Sequence, residues 1–366
     1  MEKLHTHFYK EYKKKLDLIM EHNPFVTSNN IKKNYEEAIN FLTKYHFTKC
    51  TDYNNILSTL KFSIKKKYNS DLLPYLTSAI FKVRELKSIK KEEIFKIVKS
   101  SGTTGQKQSS IFLNKENAFS QIKVLSHLFQ NFFNEKTRLP MLIIDSKKTI
   151  SNKKNYSART AGILGFSNFG TDITYALDEN MNVDIKLIKR FLHKNKNKKK
   201  IIYGFTYIIW SLFIEKINNK KISIDLSNSI LIHGGGWKKL SEKKISNKIF
   251  KEKIKKTIKI SNVFNYYGLI EQAGSIFFEC ENNFFHTSNY SNIIIRDKEF
   301  NVKNKGIIQL QSLLPVSYPG HNLLTEDLGE IFGKDNCKCG RSGIFFKIYG
   351  RALKSEIKGC SDTLIL

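Results

Sequence analysis

The chain has 366 residues, 40% of them hydrophobic and 26% charged, with only five Pro. That is enough apolar material for a sizeable core, so wholesale disorder and Pro-rich or collagen-like low complexity are excluded. Lys and Arg number 62 against 33 Asp and Glu, a net charge of +29, but the excess is spread along a Lys-, Asn- and Ile-rich chain. A coding bias toward A and T gives that pattern, whereas an evolved nucleic-acid footprint would be striped.

The opening residues Met1-Glu2-Lys3-Leu4-His5 are polar and Lys13-Lys14-Lys15 come next without an apolar run, so no secretory signal is expected. The longest apolar stretch, Ile201 to Ile214, is too short for a spanning helix and is interrupted by Gly204 and Thr206. Five Cys in a large chain without a signal point to reduced thiols rather than a disulfide framework. A cytoplasmic protein with no membrane span is expected.

Residues 1–95 read as mostly helical: Tyr35 to Leu42 places apolar side chains at helical spacing, and Asp71 to Leu76 is a punctuated connection around Pro74. From about residue 94, short β-branched runs alternate with helical patterns. Ile94 to Val98 and Ile111 to Leu113 read as strands flanking a Ser/Thr/Gly loop, and Asn114 is placed to cap a helix from Lys115 to Phe133. Met141 to Asp145, Lys200 to Gly204 and Ser229 to His233 read as buried strands, the second leading into a helix from Tyr207 to Lys216. The Lys-rich run Lys194 to Lys200 reads as a solvated loop. Strands separated by helices imply an α/β domain with substantial parallel pairing. Past about residue 275, short strands such as Asn292 to Arg296 and Gly306 to Gln311 indicate a smaller β subdomain.

The segment with most chemical content is Ser100-Ser101-Gly102-Thr103-Thr104-Gly105-Gln106-Lys107. Glycines allow successive N–H groups to converge on an anion, the hydroxyls add donors, and Lys107 adds a point charge. An ordinary hairpin turn rarely carries four hydroxyls and a Lys in eight residues. The Walker A spacing is absent, so this is a phosphate loop of another kind.

The loop resembles that of the adenylate-forming superfamily of acyl-CoA synthetases, luciferases and peptide-synthetase adenylation domains, with the Lys displaced. Further stations occur downstream in the superfamily's order. Gly234-Gly235-Gly236-Trp237 stands after a strand where the family lays backbone against adenine. Tyr266-Tyr267-Gly268-Leu269-Ile270-Glu271 resembles the Tyr-Gly-x-Thr-Glu motif, with Ile270 in place of Thr. The resemblance implies that Tyr267 stacks on adenine, with Gly268 beside it, and that Glu271 holds Mg²⁺. Leu324-Thr325-Glu326-Asp327 stands in the position of the Thr-Gly-Asp whose Asp takes the ribose hydroxyls, and Tyr349-Gly350-Arg351 resembles the hinge. The fold implied is an α/β adenylation large domain, with mixed, largely parallel sheets and a small β subdomain. On this reading residues 1–95 precede a core at 96–348, and residues 349–366 are a hinge remnant and a C-terminal arm.

Most superfamily members carry about a hundred residues beyond the hinge, a lid, and that lid is expected to be largely missing here. In its place stands Lys358-Gly359-Cys360-Ser361-Asp362. This ending, with His233-Gly234-Gly235-Gly236-Trp237-Lys238, is similar to the LuxE acyl-protein synthetases of the bioluminescence fatty-acid reductase complex. The resemblance implies Cys360 as acyl acceptor. A thiolate is a competent nucleophile, and Lys354 and Lys358 would favour it. About nine extended residues between Arg351 and Cys360 could reach some 30 Å.

Cys280 and His286 form one close pair and Cys337 and Cys339 another, which fits a tetrahedral structural Zn²⁺ site, although Cys-x-Cys is tighter than the usual Cys-x₂-Cys. A similar set occurs in some phenylacetate-CoA-ligase-like proteins. Cys50 has no partner pattern and reads as a small apolar filler.

These readings converge on ATP- and Mg²⁺-dependent activation of a fatty acid and transfer of the acyl group to Cys360, with Lys107 and Glu271 assisting adenylation. By resemblance, the partners are an acyl reductase and an acyl-transferase subunit. An acyl- or aryl-CoA ligase of the phenylacetate type is the enzymatic alternative. A basic RNA-binding protein is the non-enzymatic one, and no recognised RNA motif supports it.

Overall fold

The computed structural model describes residues 2–100, 108–151, 157–235 and 245–352. The chain divides into two compact units, one formed by residues 1–133 with 268–366 and the other by residues 134–267. The segments 1–95, 96–348 and 349–366 are stretches of sequence pattern, whereas these units are drawn by packing.

In the first unit, helices α1 (Glu2–Met20), α2 (Asn29–Lys49) and α3 (Thr51–Thr59) open the chain. The Ser28 hydroxyl caps α2 by accepting from the Ile31 N–H, and Ile31, Tyr35, Ala38, Ile39 and Leu42 make its buried stripe. Cys50, between α2 and α3, is buried. The β-strands are β1 (Leu76–Thr77), the hairpin β2 (Lys96–Lys99) and β3 (Ser110–Leu113), and then β9 (Phe277–Phe278), β10 (Phe285–His286), β11 (Ser291–Arg296), β12 (Val302–Lys303), β13 (Lys305–Ser312), β14 (Asn322–Lys334) and β15 (Ile344–Arg351). The main sheet runs β10-β15-β14-β13-β11-β12, antiparallel throughout, with β1 added parallel to β14. This sheet is the pattern change read past residue 275. Helix α4 (Lys115–Phe133) starts where Asn114 accepts from the Asn117 N–H.

The N-terminal region is bound to this sheet through buried polar groups. Tyr12 donates to the Leu313 carbonyl at 2.6 Å, Gln311 to that of Ser70 at 2.6 Å, and Asn322 to that of Pro74 at 3.0 Å. His46 bridges Ser88 and the Pro315 carbonyl, and its ring stacks on that of His321 with centroids 4.9 Å apart. Residues 1–95 therefore pack against the core, since each of these groups would otherwise be a buried polar orphan.

The second unit holds β4 (Leu139–Ser146), β5 (Gly170–Leu177), β6 (Lys200–Phe205), β7 (Ser229–Gly234) and β8 (Asn262–Tyr267), paired in parallel in the order β5-β4-β6-β7-β8. Between them run α5 (Lys148–Ser151), α6 (Ala158–Ser167), α7 (Ile185–Lys194) and α8 (Thr206–Ile208). The chain continues from α8 through a π-helical stretch, Ile209–Ile214, into α9 (Glu215–Asn219); α10 (Asn247–Ile258) precedes β8. Leu142, Ile144, Ile202, Leu231 and Val263 share one core with Ile188 and Phe191 of α7, Phe213, and Phe250 and Ile254 of α10. Phe166 of α6 instead stacks on Tyr203, which alternates with Ile202 and so faces the other side. Neighbouring strands β4 and β6 thus send the chain to opposite faces, and such a switch point opens a crevice at the carboxyl ends of the strands.

The run from Lys194 to Lys200 is only partly the solvated loop its composition implies. Lys194 closes α7, Lys199 pairs with Glu135, and Lys200 is a buried strand residue whose ammonium donates to the Lys198 carbonyl. Among the described residues no helix is long and apolar enough to cross a membrane.

Candidate functional site

In the first unit the structure brings together the base of the Ser/Thr/Gly loop and the expected metal carboxylate. The β2–β3 hairpin is closed by a backbone bond from Ser100 N–H to the Ser109 carbonyl at 3.1 Å. The Ser109 N–H in turn donates to the Ser100 hydroxyl at 2.9 Å. Ser109 then donates its own hydroxyl to Glu271 Oε1 at 2.6 Å, in a place where both side chains are buried. The short 3₁₀ turn carrying Glu271 is fixed on its far side. Gln272 donates to the carbonyls of Leu310 and Gly320, and the Ala273 N–H to the Tyr318 hydroxyl. A Cβ on Gly320 would lie 2.7 Å from the Glu271 carbonyl, so only glycine lets that loop approach.

Asp327 and Arg351 stand opposite each other in the β14–β15 ladder. The backbone before Asp327 is set by Thr325, whose hydroxyl donates to the Ile308 carbonyl at 2.8 Å and accepts from the Asp327 N–H at 3.0 Å. Glu326 replaces the glycine usual at this place, and its carboxylate lies 3.8 Å from both Lys82 and Arg351. These are loose, solvent-accessible pairs of little energetic weight.

In the second unit Gly234 ends β7 with Gly235 just beyond it, and Gly234 pairs in register with Tyr266. A Cβ on Gly234 would lie 2.3 Å from the Tyr266 ring, and Gly235 has φ +94° with the Phe205 ring beside it. Tyr266 hydrogen-bonds to Tyr203 through their hydroxyls at 2.8 Å and packs on Phe166. Burial pushes the Tyr266 phenol up to about 12, so it stays neutral. Tyr266 therefore packs into this unit with its hydroxyl engaged, and Tyr267 ends β8. Thr206 secures the end of β7 by donating to the Gly234 carbonyl at 3.0 Å, and lies 2.9 Å from His233 Nδ1.

Cys280, His286, Cys337 and Cys339 converge, with their four ligand atoms all within 4.8 Å of one another. Cys280 sits on a tight turn whose N–H donates to the Phe284 carbonyl, His286 ends β10, and the two remaining thiols occupy the β14–β15 connection. In a tetrahedral zinc site, bonds of about 2.3 Å to sulfur put thiolates roughly 3.8 Å apart. The observed set is of that size, and Cys339 Sγ lies 3.3 Å from His286 Nε2. Burial pushes the Cys280 thiol up to about 12 and raises that of Cys337, so thiolate here needs a cation to compensate it.

Sequence reasoning missed Ser109, Thr206 and a pair in the second unit, Asp145 and Arg159. Asp145, buried at the end of β4, is gripped by the Arg159 guanidinium and by the Thr149 hydroxyl. A hydroxyl at 109 just after the Ser/Thr/Gly segment was the only available signal, and it becomes informative once Glu271 is found beside it. Ser101, Gly102, Thr103, Thr104, Gly105, Lys107, Gly236 and Cys360 lie outside the described residues.

A parallel α/β unit with a glycine-ended strand and, in the same chain, an antiparallel-sheet unit with a buried Glu at the base of the β2–β3 hairpin make the fold that of adenylate-forming enzymes. The fold is shared with 2-hydroxyisobutyryl-CoA ligase. The open form of that enzyme, in complex with 2-HIB-AMP and CoA, aligns with TM-score 0.69 at 12% identity, over 90% of this chain and 76% of that one. Its thioesterification state aligns with TM-score 0.68 at 13% identity, over 90% and 70%. No curated protein matches the chain. The family model for acyl-protein synthetase, LuxE, matches residues 11–365, and the chain belongs to that family.

Proposed function

We propose that this protein couples ATP cleavage to the loading of a fatty acid onto its own Cys360, as a long-chain-fatty-acid–protein ligase. The fatty-acid carboxylate attacks the α-phosphate of ATP, giving acyl-adenylate and pyrophosphate. Ser100 to Gly105 and Lys107 would cradle the phosphates, and Gly234 to Gly236, Tyr267 and Gly268 the base. Asp327 would take the ribose hydroxyls, with Arg351 opposite it on the hinge strand. Glu271 would hold Mg²⁺, which supplies charge neutralisation at the phosphates. The Cys360 thiolate then attacks the acyl carbonyl, forming the thioester and releasing AMP. The thioester would pass to an acyl reductase, with an acyl-transferase subunit as a further partner, in the cytoplasm. The Cys280, His286, Cys337 and Cys339 cluster would hold a structural Zn²⁺.

Family membership across nearly the whole chain carries this reading. Cys360→Ser tests it: pyrophosphate should still exchange into ATP when fatty acid is present, while no hydroxylamine-labile acyl group stays on denatured protein. Equal acylation of the variant and the parent, or a soluble CoA thioester as the product, would overturn transfer to Cys360.

A further inference from the structure

We infer that Ser109 is the positioning residue for the Glu271 carboxylate, tying the closing pair of the phosphate loop to the metal-binding group. The inference rests on the proposed adenylation reading and goes further by naming the residue that orients its metal ligand.

Three observations carry it. Ser109 is fully buried, so its hydroxyl has no water to turn to, and its 2.6 Å bond to Glu271 Oε1 is short, as charge-assisted bonds are. That bond engages one carboxylate oxygen and so fixes the terminal torsion, about which an unheld carboxylate would rotate. Ser109 is also the residue that closes the loop, through the two bonds it exchanges with Ser100. The other supports of the Glu271 turn, from Gln272 and Ala273, fix its backbone, and the hydrogen bond that orients the carboxylate itself comes from Ser109.

The test uses the full-length protein with Ser109→Ala and Ser109→Thr. Mn²⁺ binding in the presence of a non-hydrolysable ATP analogue is followed by electron paramagnetic resonance. Fatty-acid-dependent ATP–pyrophosphate exchange and thermal midpoints are measured beside it. Ser109→Ala should weaken nucleotide-dependent Mn²⁺ binding about tenfold, the scale of one hydrogen bond to a charged group. The exchange reaction should require correspondingly more Mg²⁺, with the KM for fatty acid unchanged. Ser109→Thr, which keeps the hydroxyl, should restore Mn²⁺ binding. Parental Mn²⁺ affinity in Ser109→Ala overturns the inference, and so does equal weakening in a folded Ser109→Thr. A parent protein that exchanges pyrophosphate normally while Ser109→Ala does too sinks the positioning role and spares the adenylation reading. A parent that neither exchanges pyrophosphate nor binds Mn²⁺ with nucleotide sinks both.

Discussion

In the first unit Glu271 is held by a hydrogen bond from Ser109, and Asp327 comes after a backbone turn set by the Thr325 hydroxyl. In the second, Gly234 is fixed by the absence of a side chain, because the Tyr266 ring occupies the space a Cβ would need. The first unit thus holds the Glu271 carboxylate in a polar contact, where a deletion leaves an unpaired partner. The parallel sheet carries backbone and rings in close contact, where an addition is what hurts. Substitutions at the two places should accordingly fail in different measurements.

The sharpest separation is Glu271→Gln. The amide oxygen can still accept from the Ser109 hydroxyl, so the fold should hold, at a cost of about 1 kcal/mol, the middle of the range for point substitutions. Fatty-acid-dependent ATP–pyrophosphate exchange should fall about 100-fold or more, as losing one aimed electrostatic group does. A variant that exchanges at the parental rate would remove Glu271 from the reaction.

Next in size is the cysteine cluster, which clamps the connected ends of β14 and β15 while Asp327 and Arg351 lie toward their other end. The purified protein is expected to contain one equivalent of zinc by elemental analysis. Cys339→Ser should lose that equivalent and lower the thermal midpoint by several degrees, with a smaller effect on exchange. Full zinc content in the variant would rule out Cys339 as a ligand.

In the second unit Gly234→Ala should cost about 1–3 kcal/mol in urea unfolding, the usual cost of overpacking a core. A double-mutant cycle sharpens this: with Tyr266→Ala already present, the same change should cost little. Equal costs in both backgrounds would show that Tyr266 is not what excludes the side chain.

Much of this arrangement was legible in the sequence where local chemistry dictates it. The capping Asn114, the parallel strands and the two close pairs at 280–286 and 337–339, which the fold brings together, each announce themselves within a few residues. Ser109 does not, because its meaning depends on Glu271, 162 residues away, meeting it in space. The grip of Arg159 on Asp145 is equally silent, since a salt bridge between a residue of β4 and one of α6 leaves no periodic trace. The role of residues 1–95 was hidden for a similar reason: their buried contacts go to backbone carbonyls such as those of Leu313 and Pro315, which any sequence supplies.

The smallest expected effect returns to buried imidazoles, which both units contain. In the first, burial pushes His46 down to about 3 and His321 well below its ordinary value; in the second it takes His233 to about 3. All three are neutral when folded at pH 7; for His46 burial is the cause and outweighs the Pro315 carbonyl at Nε2, which by itself would favour the protonated ring. The unfolded chain takes up these protons near pH 6.5, so it binds more of them than the native state just below that pH. Their contribution to stability is full above about pH 6.5 and is lost as pH falls toward the folded values, at about 1.4 kcal/mol per pH unit for each ring. Urea midpoints measured from pH 7 to pH 5 should fall accordingly. His46→Gln should flatten the slope by about one ring's share, whatever it does to the midpoint at pH 7. An unchanged slope would assign the acid sensitivity to carboxylates, and the His46–His321 stack would then be a packing contact with no part in the pH response.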